Sequence, residues 1–518
     1  MAVAPAPATA PATDGTISES SRRHIRGSSI LFAGRLTSVG VNFATQVLIV
    51  RYLSKAEFGT FAYGLSLVTL GQSVAVLGLD KAVARFLPIY DERHEHERLL
   101  SALLLVVGTV VALGVGVVAA MYGLHGILAG SVGDSDSART VLLILVLLAP
   151  IQALDDVLMS SFAVFSKPRA IFFRKYVLAP GLRLAAIVAV IESGSDVQAL
   201  AIGYVGAGAI GIAIFGAILA RTLRERGVLA RLTPRSVLRP AREIYGFAVP
   251  LLAVDLMTVV MTTSNVVMLG HYGTATDVAN FRVVQPAARL NLLVMTSFTL
   301  LFTPMAARLY ARADRAGIEE LYWRTATWIA VFSFPVFALT FAASGMLTVD
   351  MFGARYASSA VILTLLSFGY YFSAALGFNG LTLRVYGLVR YSVVIAVLAA
   401  IANVLLNFLL IPRYGAVGAA VGTCATLVAH NVLKQAGLRR GTGISVLHRD
   451  HLRGYAIIAV TAAVLLVLER VLDPGLIVSL TLVALTTLAV LVLNRRSLQI
   501  AGTFPELGRI PVVRRIVS

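Results

Sequence analysis

The sequence predicts an all-α polytopic membrane protein with about fourteen transmembrane helices. Three observations carry this prediction. Apolar residues make up 58% of the 518 residues and charged residues only 14%, and the mean hydropathy is +0.84. That balance lies outside the range of soluble globular chains. Apolar segments of about 20 residues, the length that spans a bilayer as helix, recur through the chain. The polar stretches between them alternate between basic and nearly uncharged. The apolar runs are continuous, without the period-two alternation of an outer-membrane barrel.

Taken in order, residues 1–27 are rich in Ala, Pro, Ser and Thr and read as a disordered cytoplasmic tail. No apolar h-region follows a charged n-region, so the tail is not a signal peptide. Candidate helices then fall at about 28–52, 57–79, 98–122, 139–164, 170–191, 196–220, 243–270, 278–307, 321–349, 358–383, 391–411, 415–437, 452–471 and 476–494. Residues 221–242 form a basic cytoplasmic linker near the middle. It separates a six-helix bundle at 28–220 from a second at 243–437. A cytoplasmic loop at 438–451, two additional helices at 452–494 and a cytoplasmic tail at 495–518 complete the chain. SKAEFGTFAYGLS after the first helix resembles GTATDVANFRVVQ after the seventh, with Phe61 and Phe281 at matching places. The likeness and the central linker predict two pseudo-symmetric bundles around a V-shaped central cavity.

Charge fixes the expected topology. With the N-terminal tail placed inside, the inner segments hold 34 Lys and Arg and the outer loops 6. So sharp an alternation predicts both termini in the cytoplasm of a multi-pass protein of the cytoplasmic membrane. It also accounts for the net charge of +18 without nucleic acid as a partner.

Polar residues inside the spans form stripes. Arg35, Ser38, Asn42 and Thr45 share a face of the first helix, and Asp255, Thr258, Thr262 and Asn265 a face of the seventh. Arg282, Gln285 and Arg289 follow in the eighth, and Gln152, Asp155 and Asp156 in the fourth. An arginine at bilayer depth costs roughly 2.5–3.5 kcal/mol on insertion scales, so paired arginines on one stripe point to a wet cavity for an anionic ligand. Guanidinium forks match phosphate oxygens and stay charged, which makes Arg35, Arg282 and Arg289 candidate phosphate ligands, with Asn42 and Gln285 beside them. Asp255 is a candidate counter-ion or proton-coupling group. Asp155 and Asp156 point about 100° apart on a helix, so at most one of them faces a cleft. Arg183 reads as a structural or snorkelling residue. Asp80 and Lys81 read as a solvated pair opening a loop.

No soluble catalytic site, metal-binding spacing or cofactor motif appears. No lysine follows a glycine, so there is no Walker A sequence. His94 and His96 lie in the charged run DERHEHER, a solvated surface. The single cysteine, Cys424, excludes an internal disulfide and a Cys-based cluster. The chain is therefore expected to be a transporter rather than an enzyme.

Four stretches resemble the polysaccharide-transport (Wzx-like) branch of the MATE/MOP flippase superfamily. The most specific is NVLLNFLLIPRYGAVGAAVGT, Asn403 to Thr423. It is similar to the pattern N-x3-N-x4-I-P-x-x-G-x-x-G-A-A, with Asn403, Asn407, Pro412 and Gly415 as helix-break and gating candidates. RYLSKAEFGTFAYGLSLV, LGLDKAVARFLP and FGARYASSAVILTLLSFG are the others. The resemblance implies a cation-lined lumen and alternating-access translocation of polyprenyl-pyrophosphate-linked oligosaccharide for cell-surface polysaccharide biosynthesis. It implies as partners that lipid-linked oligosaccharide, membrane lipids, and a glycan polymerase and glycosyltransferases of the same pathway. A lipid II-type precursor flippase and an ion-coupled MATE-type drug antiporter are the rival readings. Many relatives carry Asp where this chain has Asn265, which leaves Asp255 as the nearer coupling candidate.

Overall fold

The computed structural model describes residues 19–124, 132, 135–165, 172–227, 238–445 and 449–498, with some helical side chains, Arg35 among them, left out. Among the described residues every regular element is a helix. Nine are long and apolar enough to cross a membrane, or eleven with two bent pairs counted. The sequence expectation is about fourteen. Part of the difference is one 54-residue helix that covers two expected stretches.

Helix α1 spans Glu19–Tyr52, so it starts inside the stretch expected as tail. Helix α2, Lys55–Val76, follows a tight corner and opens on a capping box. Ser54 Oγ accepts from the Glu57 amide at 3.2 Å, and Glu57 Oε2 accepts from the Ser54 amide at 2.8 Å. Helix α2 bends by 40° into α3, Leu79–Glu92. Two consecutive left-handed residues, Leu77 and Gly78, make that bend. A Cβ on Gly78 would lie 2.8 Å from the Ala248 carbonyl, so glycine also permits close approach here. Helices α4 (His96–Gly123), α5 (Asp136–Val146), α6 (Leu148–Val164), α7 (Phe173–Ser193) and α8 (Val197–Glu225) complete the first half.

The second half begins with α9, Ala241–Tyr272, and α10, Ala275–Arg289. Helix α10 opens like α2, on a capping box of Thr274 and Asp277. Helices α2 and α10 pack against one another, with Phe61 and Phe281 both buried. A Cβ on Gly59 would fall 1.8 Å from the Ala275 carbonyl, and one on Gly270 2.2 Å from the Tyr63 ring. Lipid supplies no hydrophobic drive between helices, so small residues that allow such contact do the packing. Helices α11 (Leu293–Ala311), α12 (Arg315–Phe337), α13 (Ser344–Phe352), α14 (Ser359–Ala375) and α15 (Asn379–Val385) follow.

Helix α16, Val389–Thr442, folds back on itself. Of the helix-break candidates Pro412 and Gly415, Pro412 stays within the helix and the reversal falls at Gly415, φ 53° and ψ −132°. Proline removes one amide donor, whereas a chain reversal needs a left-handed residue that glycine supplies without strain. The arms then touch: a Cβ on Gly418 would sit 2.4 Å from the Leu410 carbonyl. Helices α17 (Arg449–Leu472) and α18 (Leu476–Leu493) carry strongly exposed apolar side chains, Ile477 at 79% among them, as a lipid-facing pair requires.

Polar bonds tie the halves at both ends. At the end that bears the α1–α2 corner, Arg51 Nε donates to the Met351 carbonyl at 2.9 Å, at the close of α13. Arg355 returns the contact, donating to the carbonyls of Val50 and, at 2.8 Å, Leu53. Lys55 Nζ donates to the Arg355 carbonyl at 3.0 Å. Each arginine thus meets carbonyls left unpaired at the other half's helix end. At the opposite, basic end, Lys81 of α3 pairs with Asp255 of α9. Tyr90 donates to Glu243 at 3.0 Å, and the Arg85 guanidinium lies 4.4 Å from the Phe247 ring centre.

Candidate substrate cavity

The stripes on α1 and α10 meet. Asn42, Arg282, Gln285 and Arg289 line one cavity of about 290 Å³ between the halves, together with Gln46 and Arg183. Phe58, Phe61 and Tyr204 form its aromatic wall. A second cavity of about 450 Å³ adjoins it and shares Asn42, Gln46, Pro286 and Arg289. Its remaining walls are mostly apolar, from Val39 and Phe43 on α1 to Leu290, just before α11, and Leu293 at its start. The expected central space is therefore graded, cationic at one side and greasy at the other.

Local chain chemistry holds the α10 arginines in place. Pro286 lies inside α10 and has no amide to offer the carbonyl four residues back, that of Arg282. Gln46 of α1 supplies the missing donor: its Nε2 lies 3.3 Å from the Arg282 carbonyl and 3.2 Å from that of Val283. Arg282 Nη1 donates to Gln285 Oε1 at 2.8 Å, and Arg289 Nε to the Tyr370 hydroxyl at 3.2 Å. Both arginines are held by neutral partners, so their charge is not cancelled by a carboxylate. No Asp or Glu lines either cavity among the described residues.

The acidic candidates are engaged elsewhere. Asp255 is not the counter-ion of these arginines, because Lys81, in the first turn of α3, takes it instead. Lys81 is correspondingly no partner of a solvated loop pair, since α3 continues the bent span rather than opening a loop. Asp155 binds the buried guanidinium of Arg174 at 2.7 Å. The pair lines a small pocket of about 50 Å³ behind Arg183 and Tyr204. Asp156 accepts from Gln72 Nε2 at 2.7 Å. Neither carboxylate lines the central cavity.

Arg183, expected as a structural residue, lines the central cavity, its guanidinium 5.9 Å from the Tyr204 ring centre. The signal was its charge at bilayer depth; its direction depends on how α7 meets α8, which no periodicity records. Gln46 lies one turn beyond Asn42 on the same face, and that spacing was its signal. Arg35 lies on α1, but its side chain is outside the described residues.

Asn403 and Asn407 sit at the seam of α9 and α16, fully buried. Ser264 Oγ donates to Asn403 Oδ1 at 3.1 Å, Asn407 Nδ2 donates to the same oxygen at 3.1 Å, and Asn265 Nδ2 donates to Thr423 Oγ1 at 3.2 Å. These amides fasten the folded-back helix to α9. Gly415, at the reversal, faces the carboxylate that caps α10: a Cβ there would lie 3.1 Å from Asp277 Oδ1.

Comparison with known proteins agrees with this architecture. A family model described as polysaccharide biosynthesis protein matches residues 24–310, more than half of the chain. No curated protein sequence matches. Among solved structures, the lipid II flippase MurJ in an inward closed conformation superposes with a TM-score of 0.67 at 14% identity, over 92% of this chain and 99% of that one. An inward-facing multidrug resistance MATE transporter of the MOP superfamily gives 0.62 at 15% identity, over 79% and 95%. A MOP superfamily transporter from Pyrococcus furiosus, noted for the reverse polarity of its binding pocket, gives 0.55 at 16% identity, over 80% and 94%. The chain is thus a member of the polysaccharide biosynthesis protein family, built as a multi-pass helical membrane protein on the MOP superfamily fold.

Proposed function

We propose that the protein is a flippase that carries polyprenyl-pyrophosphate-linked oligosaccharide across the cytoplasmic membrane for cell-surface polysaccharide biosynthesis. One observation carries the reading. Arg183, Arg282 and Arg289 converge on one cavity with no carboxylate among its walls. A cavity of that sign in a low-dielectric surround favours a multiply charged anion over a cationic drug, which disfavours a cation antiporter. The adjoining apolar cavity begins at Arg289 and suits the first units of a polyprenyl chain. The family match supports a glycan pathway, with a polymerase and glycosyltransferases as neighbours in it.

The contacts at both ends favour alternating access. The Lys81–Asp255 pair and the Arg51 and Arg355 bonds each join the two halves, so opening either end must break one set. Asp255 is then a coupling candidate through its pair with Lys81, and Asp155 and Asp156 stand behind the cavity wall. Asn403, Asn407, Pro412 and Gly415 set the shape of the folded-back helix against α9. The excess of Lys and Arg in alternate loops supports a cytoplasmic position for both termini.

A second reading, a lipid II-type precursor flippase, is favoured by the likeness to MurJ and shares the pyrophosphate headgroup. The test is export in a strain lacking the chromosomal copy. Replacement of Arg183, Arg282 and Arg289 by Gln should abolish surface polysaccharide at unchanged membrane abundance. Normal export by that triple variant would defeat the reading, and rescue of peptidoglycan synthesis instead of polysaccharide export would favour the second.

A further inference from the structure

A second group of positive charge lies outside the central cavity, at the basic end of the second half. Helix α15 presents Gly380 and Arg384 four residues apart, and α16 presents His430 and Lys434 four residues apart. The two faces meet. The Lys434 side chain crosses Gly380, and a Cβ built there would stand 3.7 Å from Cε and 3.9 Å from Nζ. Arg384 is close enough to repel Lys434, and Lys434 to repel a charged His430.

Among the described residues no carboxylate pairs with this cluster. Among the described residues neither Lys434 nor Arg384 makes an ion pair. Arg384 Nε donates to the Gly380 carbonyl at 3.3 Å, which leaves its terminal nitrogens for another acceptor. His430 Nε2 is buried with no hydrogen-bond partner. The basic-loop rule accounts for exposed neighbours such as Arg439 and Arg440. It does not account for a half-buried lysine laid across a neighbouring helix beside an orphaned imidazole nitrogen.

We propose that the seam where α15 and α16 meet at Gly380 binds a phosphate-bearing anion, with Lys434 as the central ligand and Arg384 and His430 at its sides. A compact ammonium, a guanidinium fork and an imidazole together match the oxygens of a phosphate mono- or diester. Basic pockets between spans at the cytoplasmic face are where acidic headgroups bind. None of the three residues lines either central cavity. The anion is a lipid headgroup or free phosphate, and the experiment separates the two.

Thermal unfolding of the purified full chain in neutral detergent is recorded with added phosphatidylglycerol, phosphatidylcholine or inorganic phosphate. Phosphatidylglycerol should raise the midpoint by several degrees relative to phosphatidylcholine. Lys434→Gln and Arg384→Gln should each remove at least half of that rise, and Arg439→Gln should retain it. Arg384 is exposed, so its variant tests the site without disturbing the core. A rise with phosphatidylglycerol alone assigns a lipid headgroup, and one with inorganic phosphate as well assigns a free-anion site. No rise with either anion, or one that survives both substitutions, overturns the proposal.

Discussion

Gln46 donates its side-chain amide to the main-chain carbonyl of Arg282 at 3.3 Å, across the boundary between the two halves. The acceptor is free because Pro286 cannot serve it. Gln46→Leu leaves that carbonyl without a donor at a cost of about 1–3 kcal/mol. Pro286→Ala restores the helical amide. The double variant should therefore unfold at a higher temperature than Gln46→Leu alone, measured by thermal unfolding in detergent. Simple additivity of the two changes would show that the bond is not what couples them.

Arg355 holds the α1–α2 corner by main-chain carbonyls. Arg355→Gln should loosen that end of the molecule. In a Cys424→Ser background, a cysteine replacing Asn42 at the cavity wall should then react several-fold faster with an impermeant maleimide applied from outside. Unchanged labelling would mean that other contacts keep this end shut.

Lys81 and Asp255 are joined across α3 and α9 with both side chains about a third or more exposed. A pair so placed contributes only about 0–1 kcal/mol, so Asp255→Asn should barely move the unfolding midpoint. Its effect should appear in export. The charge-reversed double variant Lys81→Asp with Asp255→Lys should recover activity that either single reversal loses. Failure to recover would separate the role of Asp255 from its partner.

At the reversal of α16, Gly415→Ala forces a side chain onto a positive-φ backbone outside the left-handed helical well, at roughly 1–3 kcal/mol, and against Asp277. Pro412→Ala, inside the helix, should cost less or stabilise. An unfolding midpoint lowered more by Pro412→Ala than by Gly415→Ala would move the break back to the proline.

Much of this molecule is legible in its sequence because a membrane chain writes its spans in apolar length and its sides in basic loops. The α1 and α10 stripes predict that Asn42, Arg282, Gln285 and Arg289 share a cavity, since a polar face in lipid has nowhere else to point. What the stripes do not record is which neighbour each charge meets. Asp255 and Lys81 stand 174 residues apart, and only the 40° bend at Leu77 and Gly78 carries Lys81 onto α9. Arg183 resembles a snorkelling residue until α8 brings Tyr204 beside it. Gly415 rather than Pro412 takes the reversal because backbone sign, unlike amide loss, cannot be shared among neighbouring residues.

Arg51 and Arg355 grasp the other half by oxygens that every amino acid possesses. The positions they grip, Val50, Leu53 and Met351, can therefore drift to almost any residue of similar bulk while the fastening endures. Aligned relatives should show two stationary arginines facing partners that vary without correlation, and a survey of paired substitutions would pass over this junction altogether.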